Sequence, residues 1–275
     1  MGESRREQDH DPVVGDVSWR VDEARRLAGR YGPAALLFVS VLAAWEAATV
    51  VYAIPTVVLP SPTDVGAELV ASWRVLLGDA AVTGATAALG LLGGVVVGLL
   101  VAFGMTVSRT VELVARPFVV GLRIAPLVAI APLLFLWFGR GLPARALLVT
   151  TLTQFPVAVA SVGGLRAVPD PYLDLARSVD ASPLRTFLRV RVPAAAPSVL
   201  AGVKLAAALS VIGTVVSEFV TLTAGLGYRV FVTSTALRTD RTYAALAALV
   251  ALGLAFYLLP AWLERRTAAR GPTDV

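Results

Sequence analysis

Cysteine is missing from the 275 residues, which excludes a disulfide framework and a thiolate metal site. Histidine occurs once, as His10 in a polar N-terminal stretch, so a histidine-built catalytic or metal constellation is excluded as well. Charge is sparse: 16% of residues are Asp, Glu, Lys or Arg, against about 25% in soluble domains. Lysine is nearly absent, Lys204 being the single one among 24 basic residues. No Gly-x-x-x-x-Gly-Lys-Ser/Thr stretch is found, so nucleotide binding by the usual phosphate loop is ruled out for this chain. What remains is 57% hydrophobic, a membrane-protein composition. The net charge of +5 does not point to nucleic acid, because the arginines are scattered over many short loops rather than gathered on one face.

Apolar runs of about 20 residues, enough to cross ~30 Å of hydrocarbon, recur six times. They fall near Pro33 to Tyr52, Val82 to Val107, Pro117 to Phe138, Ala144 to Gly163, Pro197 to Val220 and Tyr243 to Leu263. The expected fold is all-α and polytopic, with about six transmembrane helices over residues 33–263. Residues 1–32 read as a polar cytoplasmic tail, and 264–275 as a second. The segment Leu59 to Leu77, opening with Pro60 and Pro62, reads as an interfacial helix capped by Thr63 or Asp64.

Arginine placement orients the spans, because cytoplasmic loops carry the excess. With the N-terminus inside, sixteen arginines fall in inner segments and six in outer ones: Arg74, Arg140, Arg145, Arg229, Arg238 and Arg241. Both termini are therefore expected inside, and so is the polar stretch between spans 4 and 5.

That stretch, residues 170–193, is a polar island in an apolar chain. Asp170 before Pro171 and Ser182 before Pro183 are each a capping side chain followed by a proline suited to a first helical turn. Two short helices follow, with Asp180 at the junction in a left-handed conformation that Asp tolerates comparatively well. Pro193 is expected to end the second helix and Pro197 to begin span 5. The first helix carries Leu173 and Ala176 on one side, among Asp174, Arg177 and Ser178. Such a helix either lies in a partner's groove or rests on the membrane surface.

The register Asp174-Leu175-Ala176, three residues, Asp180, nine residues, Val190-Arg191-Val192-Pro193 resembles the loop signature of binding-protein-dependent ABC-transporter permeases. It departs from the family pattern chiefly in Asp180, where the family has glycine. "LPSPTDV", "PLVAIAPLLFLWFGRG" (Pro126 to Gly141), Ala176 to Gly202, and "SEFV" followed by "GLGYRV" are similar to the nitrate, sulfonate and taurine branch. The resemblance implies a transport subunit of an importer rather than an enzyme. It also implies that Tyr172, Asp174, Leu175, Ala176, Arg177, Ser178, Asp180 and Ala181 couple to a separate ATPase. By the same resemblance ATP and Mg are used by two such ATPase subunits and no cofactor is held here. A substrate-binding protein outside the membrane, a second permease copy and residence in the bacterial cytoplasmic membrane are further implications.

Other polar features stand beside this. Gly90, Gly94, Gly98 and Ala102 form a small-residue stripe that lets helices approach closely in lipid. Thr150, Thr153 and Gln154 share one side of span 4, and Glu218 lies at the outer end of span 5; these are the candidate translocation-path residues. Glu218 is alternatively a cap or a partner of Arg229. Arg123 and Lys204 lie where their stems can snorkel. Two rivals are a secondary transporter driven by an ion gradient and a membrane scaffold that recruits a partner through the island.

Overall fold

A computed structural model describes residues 12–124 and 127–268, and contacts divide the chain into residues 1–64 and 65–275. The first unit contains α1 (Pro12–Val51), whose apolar stretch Gly32–Val51 is long enough to cross a membrane. Ala53, at φ 48°, lets the chain turn out of α1. Glu46 then ties the end of α1 to the segment after it, accepting from the Thr63 amide at 3.1 Å and its hydroxyl at 2.8 Å.

The cap of α2 (Pro62–Ala71) is Ser61, two residues before Thr63 and three before Asp64, the caps the sequence suggested. Ser61 accepts from the Asp64 amide at 3.1 Å and the Asp64 carboxylate accepts from the Ser61 amide at 3.2 Å, a reciprocal box with Pro62 at the first helical position. The chain breaks at Ser72, so Trp73 to Leu77 belong to the next helix and not to the interfacial one.

The second unit is built on three long helices: α3 (Trp73–Val107), α6 (Leu142–Arg166) and α9 (Val192–Thr221). α3 packs along α6, α6 along α9, and α9 against α11 (Thr239–Ala268), with the short α10 (Leu226–Thr235) joining the last two. At 1.5 Å per residue, α3 is about 50 Å long, well beyond the hydrocarbon thickness. Together with α1, these give five helices long and apolar enough to span a membrane among the described residues. In the third apolar run the described residues are helical, as α4 (Arg109–Ile124) and the apolar α5 (Leu127–Phe138).

Packing follows the small-residue stripe. Thr83, Ala87, Gly90, Gly94, Gly98 and Ala102 are all buried on one side of α3. At Gly98 a Cβ would lie 2.8 Å from the Gln154 carbonyl oxygen and 2.9 Å from the Val157 Cβ. The Thr153 hydroxyl donates to the Gly90 carbonyl across the same seam at 3.0 Å. In lipid, where apolar surface supplies no drive between helices, this close approach and its hydrogen bond hold α3 to α6. Lys204 is paired with Glu264, joining α9 to α11, so its stem serves an ion pair. The Arg123 side chain lies outside those described.

Candidate functional site

The polar island folds as α7 (Asp170–Ser178) and α8 (Pro183–Thr186), followed by a π turn at Phe187–Arg191 that runs straight into α9. Pro169, not Asp170, occupies the cap position of α7, and Asp170 sits in its first turn, where a carboxylate favours the helix dipole. Ser182 caps α8, accepting from the Arg185 amide at 3.4 Å. Pro193 does not end a helix: it falls in the first turn of α9, and the wider π turn before it absorbs the missing donor. Residues 183–221 are thus helical without interruption, so α8 is a direct extension of a membrane span.

Asp180 has φ 50° and closes α7 as a left-handed residue. The Ala181 amide donates to Ala176 O and the Asp180 amide to Arg177 O, both at 3.0 Å, the two bonds of a Schellman ending. The turn for which the sequence resemblance leads one to expect glycine is made here by Asp.

α7 carries two apolar stripes. Leu173 and Ala176 face the protein, Ala176 being buried, whereas Tyr172, Leu175 and Val179 are 60%, 64% and 67% exposed. The spacing i, i+3, i+7 puts these three on one outward face. Asp174 and Arg177 pair at 2.9 Å beside them, Ser178 donates to Leu175 O at 2.8 Å, and Ala181 is half-buried. Behind α7 and α8 a groove of about 490 Å³ reaches the end of α3. There Phe103 and Phe187 meet edge to face at 5.1 Å, tying the island to that span.

A buried ionic cluster lies near the same end of α3, and the sequence reading missed it. Glu112 in α4 is 4% exposed and is reached by Arg109 at 3.0 Å, Arg116 at 3.3 Å and Arg166 of α6 at 2.9 Å. Arg166 also donates to the Met105 carbonyl at 3.1 Å, closing α3, α4 and α6 together. The Arg109–Glu112–Arg116 spacing was readable as helix-surface pairing, but Arg166 lies too far along the chain to be inferred. The hydrogen bond from Arg166 holds the Glu112 carboxyl below its ordinary range, against the opposing cost of burial, with Arg109 adding to the effect. A carboxyl lowered in the folded state contributes stability above its unfolded pKa, and loses it as pH falls through the lower folded value. Thermal unfolding of the wild type against Glu112→Gln, measured from neutral pH downward, should show a gap that closes only on the acid side of the ordinary carboxylate range.

At the other end of the bundle, Glu218 is fully buried. Its carboxylate accepts from the Thr83 hydroxyl at 2.8 Å and from the Gly227 amide at 2.7 Å, and Thr83 in turn accepts from the Leu226 amide at 2.8 Å. Glu218 therefore caps the start of α10 and binds α3, α9 and α10 together. The expected alternative partner, Arg229, is taken instead by Asp79 at 2.7 Å. Gly225, at φ 112°, brings the chain against this carboxylate so closely that a side chain there would collide with it. Glu218→Ala should lower stability by about 1.5–3 kcal/mol per charged hydrogen bond lost, read by thermal unfolding in detergent. Gly225→Val should be at least as damaging, since it adds backbone strain to the collision.

Of the other path candidates, Thr153 is fully buried in the α3–α6 seam, and Thr150 and Gln154 are half-buried beside it. Thr150 donates to the Gly90 carbonyl at 3.3 Å. The structure thus brings Thr150, Thr153 and Gln154 together on α6 and sets Glu218 in a separate cradle.

The described residues thus combine a bundle of membrane-length helices with a short helical pair leading into one of them. Residues 94–269 match the family described as binding-protein-dependent transport system inner membrane component, and the chain belongs to that family. It is 37% identical over 232 residues to a probable ABC transporter permease protein of Haemophilus influenzae, covering 84% of this chain and 95% of that one. A formylaminopyrimidine transport permease protein of Halalkalibacterium halodurans is 30% identical over 70% of this chain and 77% of its own. Further relatives are named for aliphatic sulfonates, taurine and nitrate. The fold matches that in a crystal structure of an amino acid ABC transporter with histidines, at TM-score 0.62 and 20% identity, over 72% of this chain and 97% of that one. The chain is a membrane-spanning permease subunit of an ABC importer, a transport component whose ATPase is a separate subunit. Family membership decides against both the ion-gradient transporter and the scaffold.

Proposed function

We propose that the chain forms the path for a small solute handed over by an extracytoplasmic binding protein, working as two permease copies with two ATPase subunits. In this reading residues 33–263 form the transmembrane domain, residues 170–193 the coupling loop, and residues 1–32 and 264–275 cytoplasmic tails. ATP and Mg are bound by the ATPase. The solutes in view are those of the relatives: nitrate, a sulfonate, taurine or a vitamin precursor such as formylaminopyrimidine.

One observation carries the coupling role: the exposed Tyr172–Leu175–Val179 stripe on a short helix whose other apolar side is seated in the protein. An apolar stripe at i, i+3, i+7 is the form in which a helix enters a partner's groove. Asp174, Arg177, Ser178 and Asp180 rim that face, while Ala176 and Ala181 seat the helix on the permease. Force applied there passes through the uninterrupted helix of residues 183–221. Along the path, Thr150 and Gln154 offer half-buried polar groups, and Thr153 and Glu218 shape its walls by packing. Co-purification of the ATPase with the wild type, and its loss when the outward stripe is made polar, tests the reading. An ATPase that still co-purifies with such a variant would overturn it.

A further inference from the structure

The groove behind α7 and α8 joins two kinds of surface. Phe103 and Val107, from the last turns of α3, supply apolar wall together with Leu173 and Leu184 of the island, while Arg177 and Arg191 supply charge. Neither Asp nor Glu is among the lining residues. Arg177 shares its charge with Asp174, whereas Arg191 is half-buried and has no carboxylate partner among the described residues. The groove is therefore cationic as well as apolar.

Its place at the end of a span narrows the occupant. α3 is one of the helices of membrane length, and the groove lies where that helix stops and the chain passes to Arg109 and Arg116. Phe103 and Val107 are 45% and 64% exposed, so lipid reaches them without displacing protein. A phospholipid has the same order of chemistry, apolar chains and then a phosphate, and guanidinium groups bind phosphate through paired hydrogen bonds. An anionic headgroup suits this lining better than a zwitterionic one, which brings its own cation against the arginines. Basic pockets between spans on the cytoplasmic side are suited to such headgroups. A volume of about 490 Å³ falls within the range of small-ligand sites and takes a headgroup with the start of its chains. The ATPase fits less well, because the groove uses Leu173, on the side of α7 that faces the protein, while Tyr172, Leu175 and Val179 point outward.

We propose that this groove binds an anionic phospholipid of the inner leaflet, with its phosphate on Arg191 and Arg177 and its chains over Phe103 and Val107. The proposal rests on the reading of α7 and α8 as the cytoplasmic coupling helices. Bound there, the lipid braces those helices against the end of α3, beside the Phe103–Phe187 contact.

The test is thermal unfolding of the full chain in detergent micelles doped with phosphatidylglycerol, or with phosphatidylcholine at the same mole fraction. A ligand that binds the folded state raises Tm, so phosphatidylglycerol should raise it by several degrees over phosphatidylcholine in the wild type. Arg191→Gln should lose most of that rise, and so should Leu184→Glu, which sets a carboxylate in the groove at a position already 64% exposed. Arg185→Gln removes the same charge from an exposed side chain outside the groove and should keep the rise. In phosphatidylcholine all three variants should unfold at the wild-type temperature. No rise in the wild type, a full rise in Arg191→Gln, or an equal loss in Arg185→Gln would overturn the proposal. The same rise with inorganic phosphate alone would make this an anion site without a lipid, and would overturn it too. So would native mass spectra in which the ATPase displaces phosphatidylglycerol, since the groove would then belong to the ATPase. Co-purification reads ATPase docking at the outward stripe separately, so failure of the coupling reading and failure of the lipid site are distinguishable.

Discussion

Leu175→Asp should abolish ATP hydrolysis stimulated by substrate and binding protein, while the variant still inserts and unfolds at the wild-type temperature. Leu175 is 64% exposed at the centre of the outward stripe of α7, so a carboxylate there disturbs nothing inside the permease. In the groove of a partner the same carboxylate is buried without a counter-charge, which costs several kcal/mol and is enough to empty the interface. Ala176→Asp makes the contrast. Ala176 is buried against the permease itself, so that variant should lose folding stability as well as coupling. A comparison of Tm and stimulated ATPase rate for the two separates docking from folding. Wild-type stimulation in Leu175→Asp would remove the outward stripe from the coupling role.

Gly98→Val should sharply destabilise the membrane core. The added side chain meets the Gln154 carbonyl oxygen at 2.8 Å and the Val157 Cβ at 2.9 Å, and a backbone oxygen cannot swing aside. Overpacking of this kind costs about 1–3 kcal/mol or more, and here it also pushes α3 from α6 where close packing is the main attraction. Gly163→Ala is the control. Nothing lies within 4 Å of a Cβ at Gly163, and replacing a helix-interior glycine gains up to about 1 kcal/mol in helix propensity. Thermal unfolding in detergent should therefore move in opposite directions for the two variants. Equal stability would mean that the α3–α6 seam does not set the strength of the bundle.

Much of this was legible in the sequence, for identifiable reasons. Length and apolarity mark a membrane span regardless of what it packs against, so α1, α3, α6, α9 and α11 were each found. The loop was legible through backbone chemistry: a Ser-Pro start and a left-handed Asp are local demands, and Ser182 and Asp180 meet them. Continuity was harder to read. Pro193 read as a stop because the compensating π turn at Phe187–Arg191 has no sequence signature. Facing and long-range pairing were not legible. Nothing local says which apolar stripe of α7 is outward, that Asp79 takes Arg229 across 150 positions, or that Arg166 completes the Glu112 cluster.

The most direct measurement uses the lack of cysteine. Leu175→Cys introduces the only thiol in the chain, which can be labelled with a membrane-impermeant maleimide in vesicles of known orientation. The expected result is labelling from the cytoplasmic side alone, rapid in the free permease and blocked when the ATPase is bound. Labelling from the outer side, or labelling that the ATPase leaves unchanged, would contradict the claim that α7 is where ATP-driven force enters the membrane domain.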